Sequence, residues 1–475
     1  MKASKALMVA GTTSNAGKSA IATALCRILS RRGYSVAPFK AQNMSLNSYV
    51  TRDGKEIALA QAMQAKAAGV EPDARMNPIL LKPKGNFVSQ LVLLGEAVGD
   101  ISSKQYYSMV GELRKVVEKA YRELAEEFDL VVIEGAGGIA EINLYDRDLA
   151  NIGIARIARP AILVAGDIDR GGVFASLYGS YLLLPEDVRG LVRGFVINRL
   201  RGRVDILESG VRKLEELTGV RVLGVIPYVE SVFSEDSLCI EEWSIEDRPV
   251  GILRLDKVSN FTDFEPIREI SKFVGLKDEL DVEILIVPGS KDTFLDLEMV
   301  RKTGMDEKIR SFSKENIVIG ICGGYQMLGK ELVDFGVEHS RIRAKGLGLL
   351  DAITEFRNYR KTCSQVERKV IGSAEVIGKV RGVVKGYEIH KGVTHVSGKY
   401  VFENPDSSLE GCENDSGLVW GTYTHALFWN ENVVKALSKY LGVDVKFSNF
   451  DDRIEKFSKV VENALNIEAI LEWVQ

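Results

Sequence analysis

Residues 6–19 read ALMVAGTTSNAGKS. Five apolar residues lead into a glycine turn that closes on Lys18 and Ser19, and a helical pattern follows in SAIATALCRILSRRG, residues 19–33. A buried strand, a Gly-rich loop and a helix in that order make a phosphate loop, here with one extra residue between its glycines. Gly11, Asn15 and Gly17 are the expected phosphate-cradling positions, because such a turn points backbone N–H groups inward. The helix N-terminus adds its partial positive charge, Lys18 reaches the β- and γ-phosphates, and the Ser19 hydroxyl is placed to bind Mg²⁺. A glycine turn with a solvated lysine is the plain alternative, but it leaves the flanking strand and helix unexplained.

The same alternation extends outward. YSVAPFK (34–40), DLVVIEGAGG (129–138), PAILVAGD (160–167), GFVIN (194–198) and VRVLGVIP (220–227) read as short apolar strands, with helical stretches between them and an amphipathic helix over 105–127. Strands that are apolar throughout and separated by helices mean a parallel sheet covered on both faces. Ligand-binding groups belong at the carboxyl ends of such strands. Glu134 is therefore expected to join Ser19 on the metal, with Asp53, in VTRDGKE, as a second carboxylate. Lys40 is placed to steady a γ-phosphate in transfer, and Asn198 to hydrogen-bond the base. A charged stretch over 230–248 reads as a connector, after which PVGILRL (249–255), VEILIVPGS (282–290) and NIVIGIC (316–322) begin a second alternating section. Beyond about residue 350 the pattern becomes antiparallel, and 432–443 and 451–472 read as helices. The expected organisation is an ATP-binding domain over 1–245 and a second α/β domain over 246–475.

Composition narrows the class. The chain has 475 residues, 45% apolar and 27% charged, with a net charge of −4. That excludes a disordered or collagenous chain and argues against a nucleic-acid coat or a polybasic membrane binder. No apolar run approaches the ~18–20 residues of a membrane span. The five cysteines (Cys26, Cys239, Cys322, Cys363 and Cys412) are odd in number and form no C-x-x-C pair. A disulfide framework or structural zinc is not expected, and the reading is a cytoplasmic protein.

Cys322 ends an apolar strand and precedes GGYQMLG. A strand-to-helix turn with small residues on both sides pushes a side chain into the open, at a helix N-terminus that favours a thiolate. The Gly323 N–H is aimed where an oxyanion would form, and a second donor is expected from Gly289 or Ser290 in VPGSKDT. Among four histidines, His425 in GTYTHALF follows an apolar strand and is the candidate base. His390, in GYEIHKG, reads as a substrate-side or structural histidine.

GICGGYQML with the later GTYTH resembles the triad-type glutamine amidotransferase domains, and the phosphate loop with VVIEGAGG resembles the dethiobiotin-synthetase group of ATPases. Their fusion in this order is similar to the cobyrinic and cobyric acid amidases of cobalamin biosynthesis. PFKAQNMSLNSYVTRDGKEIALAQ (38–61), MNPILLKP (76–83), AEINLYDRDLANIGIA (140–155), GDIDRGGVFASL (166–177) and SNFTDFEP (259–266) resemble the cobyric acid synthase branch. The resemblance implies a P-loop NTPase domain with a parallel sheet followed by a triad-type amidotransferase domain. It implies ATP and Mg²⁺ as cofactors, glutamine and a corrinoid polycarboxylate as partners, and no nucleic acid or membrane. Many such amidotransferases carry an orienting Glu two residues beyond the histidine; here that position is Leu427, so the orienter of His425 is unassigned.

The implied reaction amidates the b, d, e and g carboxylates of adenosylcobyrinic acid a,c-diamide through acyl phosphates. Cys322 and His425 release the ammonia. An acidic corrinoid needs cations, for which Lys82, Lys84, Arg147 and Arg170 are candidates; Asp146 is expected to have a catalytic role, and Asp148 to position metal or substrate. The competing readings are the a,c-diamide synthase, a wall-precursor amidotransferase, and a partition-type ATPase that would not need the cysteine elbow.

Overall fold

The computed structural model describes residues 5–85, 87–229 and 248–474. Its contacts divide into two compact units: residues 1–45, 55–236 and 450–475 form one, and residues 46–54 and 237–449 the other. The expected boundary near 245, and all of the connector but Arg248, lie outside the described residues. Relative to a single cut there, the first unit gains residues 450–475 and gives up residues 46–54, and the second the reverse.

The first unit is built on six parallel strands in the order Arg221–Pro227, Val192–Leu200, Ala161–Asp167, Lys5–Gly11, Leu130–Glu134, Val36–Phe39. The central strands are buried along almost their whole length, which is why their sequences run apolar without alternating. The helix Lys18–Arg31 covers one face. The helix Ser103–Glu127, opened by a capping box between Ser102 and Gln105, lays its apolar stripe on the other. A four-stranded sheet of Gln42–Met44, Ile79–Gly85, Val88–Leu93 and Glu96–Ser102 completes the unit.

Residues 451–472, expected as one helix, form two, Phe450–Ala464 and Ile467–Val474. The break is made by Asn466. Its N–H donates to the Leu223 carbonyl (2.8 Å), and its side-chain oxygen accepts from Ala469 N–H (3.0 Å) as an N-cap. Ile454, Phe457, Val461, Ile470 and Leu471 pack into one apolar cluster with Ile21, Leu25, Ile28 and Leu29 of the phosphate-loop helix. Arg27–Asp451 (2.7 Å) and Arg32–Glu468 (2.8 Å) fasten the rim. The tail thus belongs to the nucleotide-binding unit.

The second unit has its own six-stranded sheet, in the order Ser271–Val274, Val250–Leu253, Ile284–Val287, Ile317–Ile321, Val419–Thr422, Cys412–Glu413. It is parallel except for the last pair. The pairing expected beyond residue 350 is present in Thr362–Val370 against Val383–His390. Residues 46–54 join this unit: Ser48 N–H donates to Asn260 Oδ1 (2.9 Å), Gln365 Nε2 donates to the Val50 carbonyl (3.1 Å), and Tyr49 meets Tyr387 edge-on. Among the described residues no helix is long and apolar enough to cross a membrane.

Candidate active sites

The phosphate loop bridges the strand Lys5–Gly11 and the helix Lys18–Arg31, with Asn15 (φ 60°) and Gly17 (φ 90°) in the left-handed region. A Cβ on Gly17 would lie 2.1 Å from Asn198 Nδ2, so only glycine admits this approach. Asn198, expected to hydrogen-bond a base, donates that nitrogen to the Ala16 carbonyl (2.9 Å) and so braces the loop. Lys18 Nζ donates to the Thr13 and Gly137 carbonyls, both at 2.9 Å, across the mouth of the loop.

Glu134 is the hub of the site and is wholly buried. Its Oε1 accepts from Ser19 Oγ (2.7 Å) and Lys40 Nζ (2.5 Å). Its Oε2 accepts from Gln61 Nε2 (3.1 Å) and Gln64 Nε2 (2.5 Å), one turn apart on the helix Leu59–Ala68. Burial alone would push this carboxyl up; the Lys40 ammonium, with the Ser19 and Gln64 hydrogen bonds, holds it below the usual range. Ser19 and Glu134 offer hard oxygen donors side by side, a donor pair that fits Mg²⁺, which draws its remaining ligands from phosphate and water. Among the described residues no cluster of three or more His, Cys, Asp or Glu side chains forms a metal cage. Asp53 lies in segment 46–54 of the other unit, where its carboxylate accepts from Thr51 Oγ1.

The strings around this site have structural work. Asn151 clamps the turn after Glu134, donating to the Ala136 carbonyl (2.7 Å) and accepting from its N–H (3.1 Å). Asp148 caps the helical turn that carries Asn151, accepting from the N–H groups of Ala150, Asn151 and Ile152. Asp146 is exposed in the preceding turn. Of the expected cations, Lys82 is buried against Glu56 (2.6 Å) and Lys84 pairs with Asp100 (2.7 Å). Arg147 lies over the Tyr107 ring, and Arg170 is largely exposed beside Asp167.

In the second unit Cys322 joins the strand Ile317–Ile321 to the helix Gly323–Leu328 at φ 51°, ψ −108°. A non-glycine residue held there is strained, as in a nucleophile elbow. Cys322 N–H donates to the Thr422 carbonyl (2.8 Å), which registers the elbow on the strand that leads to His425. A Cβ on Gly324 would sit 1.9 Å from the Val287 carbonyl, so the turn needs glycine to close on its neighbour.

The His425 imidazole is hydrogen-bonded through Nδ1 with Asp263 Oδ2 at 2.6 Å and is close enough to Cys322 to feel its charge, while the Cys322 thiol donates to the Ile389 carbonyl (3.6 Å). Asp263 Oδ1 accepts from Ala426 N–H (2.9 Å), so one carboxylate fixes both ring and backbone. The Tyr387 ring stacks on the imidazole. Burial pulls the imidazole down, but the Asp263 charge and then Cys322 raise it further, to about 10. Asp263 is the orienter that inspection of the neighbourhood of His425 misses. It lies in SNFTDFEP, in the short helix Phe261–Ile270 that follows the strand Val250–Leu253. Its signal was an acid just past a parallel strand, at the edge where the cysteine elbow also sits.

Gly289 and Ser290, expected on the oxyanion side, have different surroundings. A Cβ on Gly289 would lie 3.3 Å from His425 Cε1 and 3.0 Å from Ser259 Oγ. Ser290 N lies beside the elbow, 2.7 Å from where a Cβ on Gly323 would be. His390 donates through Nδ1 to the Gly392 carbonyl (2.7 Å) and stacks on Tyr423, a supporting place.

Residues 7–237 match the family model of the CobQ/CobB/MinD/ParA nucleotide binding domain, and residues 249–433 that of the CobB/CobQ-like glutamine amidotransferase domain. The chain is 63% identical to a probable cobyric acid synthase of Archaeoglobus fulgidus over 97% of its length and 98% of the relative's. It is 48% identical to a probable cobyric acid synthase of Methanosarcina barkeri over 99% of both chains. One from Methanococcoides burtonii is 52% identical, over 94% of this chain and 92% of that one. A nucleotide-binding unit and a cysteine amidotransferase unit, joined as in these relatives, place the chain in the cobyric acid synthase family of amidoligases.

Proposed function

We propose that the enzyme uses ATP and glutamine to amidate the b, d, e and g carboxylates of adenosylcobyrinic acid a,c-diamide in the cytoplasm, giving adenosylcobyric acid. The carrying observation is the buried Cys322–His425–Asp263 relay in the same chain as the Lys18–Ser19–Glu134 cluster. A carboxylate is a poor electrophile because its leaving group would be oxide. Transfer of the γ-phosphoryl group to it gives an acyl phosphate and ADP; ammonia then adds to the acyl carbon and expels inorganic phosphate, leaving the amide. Lys18 and Lys40 supply positive charge at the phosphate end, and backbone N–H groups of the loop position it. Mg²⁺, held by Ser19 and Glu134, would neutralise charge on the phosphates. Exposed Asp146 and Arg170 stand as substrate-facing groups; Lys82, paired with Glu56, serves the scaffold.

In the other unit the Cys322 sulfur adds to the glutamine amide carbon. His425 gives its proton to the departing nitrogen, which leaves as ammonia, and water then hydrolyses the thioester to glutamate. Asp263 holds the ring so that the proton sits on the correct nitrogen. The test is mass spectrometry of the diamide after incubation with enzyme, ATP, Mg²⁺ and glutamine. Replacing OH by NH₂ lowers the mass by about one dalton, and four successive steps are expected. Cys322→Ala should lose glutamine-dependent product and keep product formation from added ammonium. A mutant that ammonium does not rescue would overturn the division of labour.

A further inference from the structure

The oxyanion side of the cysteine site depends on how one short loop is held. Residues 289–291 run antiparallel to 257–259, tied by Ser259 N–H to the Gly289 carbonyl (2.9 Å) and Lys291 N–H to the Lys257 carbonyl (2.8 Å). The residue between two such bonds turns its own N–H away from the partner segment. That residue is Ser290, and its nitrogen lies beside Gly323 on the elbow.

The Ser290 side chain is also committed. Its hydroxyl donates to Asp296 Oδ2 (2.5 Å) and accepts from Asp292 N–H (3.0 Å). Asp296 is wholly buried on the helix Thr293–Lys302. A buried carboxylate is costly to keep unless its hydrogen bonds serve a purpose, and the relay above does not use it. The same helix is latched to the elbow helix by Thr293 Oγ1 donating to Gln326 Oε1 (3.0 Å). Burial, with Asp256 and Asp292 nearby, pushes the Asp296 carboxyl up to about 6, against the pull of the Ser290 hydrogen bond.

We infer that Asp296 is a positioning residue: by clamping the Ser290 hydroxyl it aims the Ser290 N–H, together with that of Gly323, at the oxygen that becomes negative when the Cys322 sulfur adds to glutamine. This rests on the glutaminase reading and names the group that orients its second oxyanion donor. In that step a C–S bond forms and the carbonyl π pair moves onto oxygen. When the pair returns, the C–N bond breaks and the nitrogen leaves with the proton from His425. The two N–H groups bind the oxyanion far better than the amide oxygen, so misaiming one lowers kcat and spares KM.

Ser290→Ala and Asp296→Asn in the full chain test this, with glutamate release as the rate. A γ-aldehyde analogue of glutamine is the second readout, because the Cys322 thiol adds to it to give a tetrahedral hemithioacetal. Expected are a fall in kcat of about 10–100-fold, a glutamine KM within about threefold of the parent, and aldehyde affinity weakened in step with kcat/KM. Ser290→Thr, which keeps the hydroxyl, should retain most of the rate. Should Asp296→Asn fail to fold, Ser290→Ala, which removes one oxygen from a half-buried side chain, decides alone. Parental kcat and aldehyde affinity in Ser290→Ala would overturn the inference, as would equal weakening of glutamine and aldehyde. Undiminished glutamine hydrolysis by Cys322→Ala would instead overturn the glutaminase reading itself.

Discussion

His425 carries two opposed influences, burial against it and the Asp263 carboxylate for it, and the carboxylate wins. The protonated ring therefore persists to about pH 10, and the alkaline limb of glutaminase kcat/KM should lie there. Asp263→Asn removes the charge that raises the imidazole, so that limb should move to lower pH, with kcat down by about 10² or more. A pH–rate profile checks both; an unmoved limb would separate Asp263 from the relay. Glu134→Gln should weaken ATP binding in the presence of Mg²⁺ more than in its absence, read by calorimetry, since it removes the anionic oxygen beside Ser19. Cys322, Lys18, Ser19 and Glu134 were legible as residues because each sits in a contiguous motif whose chemistry is local. Asp263 was not, because it meets His425 across a large gap in the chain, and a carboxylate brought in by tertiary folding leaves no spacing to read. Gly289, Ser290 and Asn198 are placed at strand ends by the sequence, but the pattern does not say which N–H faces the site or what the amide binds. One shift along a strand changes which N–H faces the site, and a strand-end amide can brace a loop as readily as bind a ligand.

At the scale of elements, the tail helices make the sharpest predictions. Ile454 is almost wholly buried against the phosphate-loop helix, so Ile454→Ala should cost about 2–5 kcal/mol, seen as earlier thermal unfolding of the nucleotide-binding unit. Asn466→Ala removes the cap between the two helices and should cost about 0.5–2 kcal/mol. If either change lowered only glutaminase activity and left that unfolding step unmoved, the tail would have been assigned to the wrong unit. The amphipathic pattern over 451–472 announced a helix packed on something, but periodicity does not name its partner. The break at Asn466 was hidden for a related reason: it is imposed by a backbone bond to Leu223 on a distant strand. The parallel strands were readable because wholly buried strands cannot alternate with polar residues.

For the whole molecule, the chain does not run through one unit and then the other. The nucleotide-binding unit takes residues from both ends, and the amidotransferase unit takes residues 46–54 from the first half. Two polypeptides cut at residue 245 should therefore perform worse than the intact enzyme even when co-expressed. Adding residues 450–475 to the first fragment through a flexible linker should recover much of its thermal stability. Recovery without the tail would contradict this arrangement.

The returning tail also bears on biogenesis. A ribosome delivers the chain from its amino side, so the helix that follows the glycine turn must wait, its greasy flank uncovered, until residues 450–475 have been translated. The intervening nitrogen-donor body can mature meanwhile. A message stopped after residue 449 would then yield a protein whose nitrogen-donor body is whole yet which is vulnerable in the half that handles the energy source.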